Sequence, residues 1–134
     1  MIDNKGEEHQ IWSRQIIYRM TWRSFDKYSI KLKNFIVNSN FQPSILICIA
    51  NGGLTLGVKL SHLLNIRNLR VIRIKRNDTN DIFTSRSYPI VEWEYIGDLT
   101  GHNVLLIDDI VGSGMTMKSA YKVIEIHNLS LIHI

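Results

Sequence analysis

Two adjacent carboxylates, Asp108 and Asp109, stand between the apolar run Val104 to Ile107 and the small-residue stretch Gly112-Ser113-Gly114. Four consecutive apolar residues fit a strand buried on both faces of a parallel sheet. The acids are then expected at the strand's carboxyl end, which is where open α/β sheets bind ligands. The glycines let the backbone turn tightly with its N–H groups aimed inward, and a helix beginning near Thr116 would turn its positive end toward an anion. A phosphate monoester fits that cradle. The two carboxylates can accept hydrogen bonds from vicinal hydroxyls one sugar length away, so these parts predict a phosphorylated ribose. An ordinary strand-to-helix turn also uses Asp as a cap and Gly as backbone relief. Strand, acid pair, glycines, hydroxyls and helix in this order make the more specific signal.

The run VLLIDDIVGSGMT resembles the phosphoribosyl-pyrophosphate (PRPP) motif of type I phosphoribosyltransferases. The resemblance implies that Asp108 and Asp109 hold the ribose hydroxyls. It also implies that Gly112, Ser113, Gly114, Met115 (through its backbone) and Thr116 wrap the 5-phosphate. A second segment fits the same family. Ser44 to Ala50 is a buried-strand run, followed by Asn51-Gly52-Gly53 and a helix with apolar residues at Leu56, Leu60, Leu63 and Leu64. It is similar to the family's pyrophosphate loop, usually Ala-Arg-Gly-Gly, through Ala50, Gly52 and Gly53. Asn51 replaces the basic residue. An amide donates hydrogen bonds but brings no charge, so the grip on pyrophosphate is expected to be weaker or borrowed from another residue. The basic cluster Arg67, Arg70, Arg73, Lys75 and Arg76 holds part of the net charge of +4. Lys75 or Arg76, at the end of a strand from Val71 to Lys75, would suit a polyanion. Without interleaved aromatics or a known binding motif, the cluster does not point to nucleic acid.

The resemblance implies displacement at the anomeric carbon of PRPP by a ring nitrogen of a nucleobase or related acceptor, with release of pyrophosphate. Mg2+ would be bound mainly through PRPP itself, with no direct protein metal site. Binding and alignment dominate such a reaction. Gly112 stands where the family's 6-oxopurine enzymes carry an aspartate that handles a proton at the purine; glycine has no group for that task. The acceptor therefore stays open. A second class also stays open, a PRPP-sensing regulatory domain that binds without catalysis. Asn51 and Gly112 favour the sensor. A lid at 77–87, which would keep the reacting carbon from water, favours the enzyme. The family resemblance also allows a homodimer.

The elements that must position these residues read as an α/β domain with a mostly parallel sheet flanked by helices. Strands are expected near 44–50, 70–75, 90–95 and 103–108, and helices near 22–38, 54–64 and 116–127. Thr21 is the expected cap of the first helix, whose apolar positions are Phe25, Tyr28, Leu32, Phe35 and Ile36, and Trp22 and Phe25 are expected in the core. In the strand at 90–95, alternation predicts Glu92 and Glu94 on one face and Trp93 and Tyr95 on the other.

A chain of 134 residues with 45% hydrophobic content suits one domain and is too short for two. That domain is expected to be phosphoribosyltransferase-like over 1–128, without the family's base-recognising hood. Residues 129–134, LSLIHI, can be encoded by a transposon-end adapter sequence and are expected to be a non-native tail. The single cysteine, Cys48, lies in an apolar run and excludes a disulfide framework, so a reducing cytoplasm is expected. Five histidines without metal-ligand spacing argue against a zinc site. No apolar stretch reaches spanning length, so no membrane partner is expected.

Overall fold

Val104 to Ile107 and Ile45 to Ala50 are unbroken apolar runs because each pairs on both edges or packs on both faces, leaving no side for water. The computed structural model describes residues 19–75 and 89–127. Within them the chain runs α1 (Trp22–Asn38), β1 (Ile45–Ala50), α2 (Gly52–Leu64), β2 (Leu69–Lys75), β3 (Ile90–Tyr95), β4 (Val104–Ile107) and α3 (Met115–Ile126). The four strands form one sheet in the order β3-β2-β1-β4. β1 pairs in parallel with β2 and with β4, and β3 adds an antiparallel edge to β2. The result is the expected mostly parallel α/β sheet with one antiparallel pair.

Alternation along the central strands divides the core in two. Ile45, Ile47 and Ile49 of β1, with Val104 and Leu106 of β4, pack with Ala120 and Ile124 of α3. Leu46 and Cys48, with Leu105 and Ile107, pack on the opposite face with Ile36 of α1 and Leu60 of α2. Both faces of the β1–β4 pair are thus sealed, and only its ends remain open. Gly57 lets α2 lie close to the sheet, since a Cβ there would overlap the Cys48 thiol.

α1 begins as expected at Thr21. The Thr21 hydroxyl accepts from the Ser24 N–H at 3.1 Å, and the Ser24 hydroxyl accepts from the Thr21 N–H at 2.8 Å, a complete capping box. The aromatic stripe differs from the expectation. Trp22 is 77% exposed and meets Phe25 edge-on at 5.8 Å between ring centroids, while Tyr28 and Phe35 are also exposed. Of the apolar positions Ile36 is buried and Phe25 and Leu32 are half-buried, because α1 joins the core between α2 and the sheet through Leu32 and Ile36. Trp22 stands at the first helical position, ahead of that contact.

β3 departs from simple alternation. The register steps from Arg73↔Trp93 to Ile74↔Val91, so Glu92 is the extra residue of a bulge. Glu92 consequently joins Arg73 and Lys75 of β2, whereas Glu94 pairs with His127 beyond α3. The two glutamates do not share a face as strict alternation predicted. Trp93 and Tyr95 are both largely exposed.

Candidate functional site

β1 and β4 are neighbours whose carboxyl ends point the same way, and the chain leaves them on opposite faces of the sheet, β1 into α2 and β4 toward α3. Such a divergence opens a crevice beyond the strand ends. The loops that leave the two strands touch there. A Cβ on Gly52 would overlap the carboxylate of Asp109, and one on Gly53 would come within 2.5 Å of the Ile107 carbonyl oxygen. The Gly-Gly pair is therefore what allows the first loop to approach the acid pair. Helix α2 includes both glycines and begins two residues earlier than the leucine spacing implied, which brings its N-terminus to the crevice. The Ala50–Asn51 peptide bond is cis.

Beyond β4, Asp108 is half-buried and Asp109 exposed. The Asp109 N–H donates to Asp108 Oδ1 at 2.9 Å. Burial is the main influence that pushes the Asp108 carboxyl up to about 6. The hydrogen bond from the Asp109 N–H opposes that rise, and the neighbouring Asp109 side chain adds to it. Asp108 lines an open concavity of about 220 Å3 with Val111, Gly112, Gly114 and Thr116. Asp109 instead faces Gly52, so the acid pair spans the junction between the two loops.

Gly114 adopts φ +77°, a left-handed conformation that glycine reaches without a Cβ penalty, and serves as the N-cap of α3. Among the described residues no side chain caps α3 or α2, and neither helix has an acidic residue in its first turn. The contrast with the capping box of α1 is physical. Where the chain turns away from the crevice, the helix satisfies its own N–H groups; at the crevice, two helix starts leave theirs available to an anion. Ser113 is exposed and Thr116 half-buried, both at this second cradle.

Of the expected pyrophosphate residues, Ala50 closes β1 and Asn51, Gly52 and Gly53 open α2. Lys75 is exposed at the end of β2, 4.0 Å from Glu92 Oε1. Arg76, the candidate lid at 77–87 and the tail at 129–134 lie outside the described residues. The sequence reading did not foresee the contacts of Arg73. Its Nη1 donates to Asn51 Oδ1 at 2.8 Å and its Nε to Glu92 Oε2 at 2.6 Å. The signal available in sequence was only that Arg73 lies two residues before Lys75 in the basic cluster. Its nearness to Asn51 follows from the Ala50↔Arg73 register, which a sequence does not display. Among the described residues, no group of three or more His, Cys, Asp or Glu could hold a metal ion, and no helix is long and apolar enough to cross a membrane.

The sequence pattern of the phosphoribosyl transferase domain matches residues 22–134. Phosphoribosyltransferase domain-containing protein 1 of Homo sapiens is 28% identical over 121 residues, a match that covers 81% of this chain and 52% of the human protein. The chain thus spans about half the length of that relative. Among solved structures, the purine phosphoribosyltransferase from Pyrococcus horikoshii Ot3 superposes with a TM-score of 0.71 at 24% identity, covering 85% of this chain and 72% of that one. The adenine phosphoribosyltransferase from Trypanosoma brucei, in complex with AMP, pyrophosphate and ribose-5-phosphate, gives a TM-score of 0.62 at 16% identity, covering 84% and 53%. A parallel β1–β4 pair, an acid pair at its exit and a pattern match over most of the length converge: this chain belongs to the phosphoribosyltransferase domain family.

Proposed function

We propose that the protein binds PRPP across the β1–β4 crevice and transfers its phosphoribosyl group to a ring nitrogen of a nucleobase or related acceptor, releasing pyrophosphate. The observation that carries this reading is the contact between Gly52 and the Asp109 carboxylate, which joins an anion cradle at α2 to a second one at α3 through the acid pair. A 5-phosphate against Gly112, Ser113, Gly114, Met115 and Thr116, and a pyrophosphate against Ala50, Asn51, Gly52 and Gly53, leave the ribose between them, beside Asp108 and Asp109. The Trypanosoma brucei relative, solved with ribose-5-phosphate and pyrophosphate, supports ligands of this chemistry.

In the transfer, the acceptor nitrogen forms a bond to the anomeric carbon as the carbon–oxygen bond to pyrophosphate breaks. The electron pair leaves with pyrophosphate, and the acceptor gives up its proton. Positive charge develops on the sugar and negative charge on the departing group, so the chain's task is alignment and electrostatic stabilisation at fixed positions. The acid pair holds the ribose through its hydroxyls, and the two helix starts hold the anionic ends. Mg2+ carried by PRPP would neutralise charge on the pyrophosphate. The test is pyrophosphate release from PRPP and Mg2+ with a panel of bases. Turnover with one of them is expected. PRPP binding without turnover would favour the second reading, a PRPP-binding regulatory domain, to which the uncharged Asn51 and the side-chain-free Gly112 also incline.

A further inference from the structure

Asn51 brings no charge to the place where the resembled loop carries a basic residue, yet a guanidinium stands beside it. Arg73 pairs with Ala50 across the β1–β2 ladder, and its Nη1 donates to Asn51 Oδ1 at 2.8 Å. We infer that Arg73 supplies, from the adjacent strand, the positive charge of the pyrophosphate subsite, with Asn51 as its tether. This inference rests on the PRPP reading given above and adds to it a residue and a regulating counter-ion.

Three features carry it. Accepting from Arg73 through Oδ1 leaves Asn51 with its Nδ2 donors for a ligand, so amide and guanidinium together offer what one loop arginine would. The two observed bonds occupy two of the five guanidinium N–H donors, and the side chain is 37% exposed at the rim of the crevice. The uncapped start of α2 follows directly after Asn51, and its N–H groups add to the same anion field. Arg73 holds a fork suited to two phosphate oxygens, which an ammonium at the same place would not reproduce.

Glu92 is the second half of the device. The β3 bulge sets it against Arg73 at 2.6 Å and near Lys75 at 4.0 Å, so one carboxylate serves two cations. A pyrophosphate arriving at Asn51 must compete with Glu92 for the guanidinium. Glu92 therefore weakens anion binding while keeping Arg73 ordered.

Titration calorimetry of the full chain with pyrophosphate, PRPP and ribose 5-phosphate, each with Mg2+, separates the possibilities. Arg73→Ala is expected to weaken pyrophosphate and PRPP at least tenfold and to leave ribose 5-phosphate, which lacks the diphosphate, within twofold. Arg73→Lys should fall between the two. Asn51→Arg added to Arg73→Ala should restore pyrophosphate affinity, and Glu92→Gln should tighten it severalfold, a gain that a purely structural ion pair would not give. Equal loss of all three ligands in Arg73→Ala, or unchanged pyrophosphate affinity, overturns the assignment while leaving the PRPP reading intact. If the unaltered chain binds neither ribose 5-phosphate nor PRPP, both fall together.

Discussion

Asp108 carries the sharpest residue-scale consequence. Its carboxyl is pushed up to about 6, first by burial, so near pH 5 it is largely protonated and near pH 7 largely charged. A ribose hydroxyl bonds more strongly to the charged form. Ribose 5-phosphate affinity is therefore expected to rise from pH 5 to pH 7 more steeply in the unaltered protein than in Asp108→Asn. The ligand's own phosphate titrates in the same range, and the variant retains that contribution, so the difference between the two calorimetric curves isolates the side chain. Parallel curves would remove Asp108 from the ribose site. Fold stability responds in the opposite sense, because the folded state binds this proton more tightly than the unfolded chain. The contribution of Asp108 falls as pH rises from its ordinary value of 3.8 to about 6. For Asp109, replacement by Asn should weaken PRPP by roughly 1–3 kcal/mol, the scale of a lost charge-assisted hydrogen bond; equal affinities would argue that it only shapes the loop. Both acids were legible in sequence because residue type, order and spacing announce them. Arg73 was not, since its partner Asn51 is 22 positions away and is met only through strand register.

At the scale of elements, the two glycines of the second loop play different parts. Gly114 sits at φ +77° with open space around it, and a Cβ on Gly112 would likewise meet nothing within 4 Å, but Gly112 is not held in the left-handed region. Gly114→Ala is expected to cost about 1–2 kcal/mol in denaturant unfolding, the scale of placing a Cβ in that conformation. Gly112→Ala should fall well below that; equal costs would contradict the assigned backbone roles. The open space at Gly112 means that crowding at the Cβ is not what requires glycine there. Strand and helix positions were readable from apolar runs and heptad-like spacing. The errors have physical causes: α2 begins at Gly52 because tertiary contact with β4 favours a helical Gly-Gly that intrinsic propensity disfavours, and Trp22 is exposed because periodicity cannot say how far along a helix its neighbour extends.

For the whole molecule, the sealed β1–β4 pair is what holds the crevice in shape. Leu106, 4% exposed in the α3-side core, should cost about 2–5 kcal/mol when cut to alanine, a large share of the roughly 5–15 kcal/mol that stabilises a typical domain. A loss of unfolding free energy below about 1 kcal/mol in chemical denaturation would mean that the core repacks readily. Cys48, on the other face of β1, is fully buried, and burial pushes its thiol up to about 11. Thiolate is the reactive species, so a disulfide reagent at pH 8 should label Cys48 only as fast as the sheet opens. Labelling that follows reagent concentration without limit would show local access instead. The two-sided burial that protects this thiol was visible in the sequence as an unbroken apolar run.

The bulge in β3 has a consequence for how relatives of this chain could diverge. Glu92 reaches Arg73 and Lys75 only because one surplus residue is counted into that strand. Excising it would even out the ladder and strip both cations of their shared carboxylate in a single event. If Arg73 grips a diphosphate as proposed, an insertion or deletion at the sheet's outer border would retune that grip, with no exchange of any residue in the loops themselves.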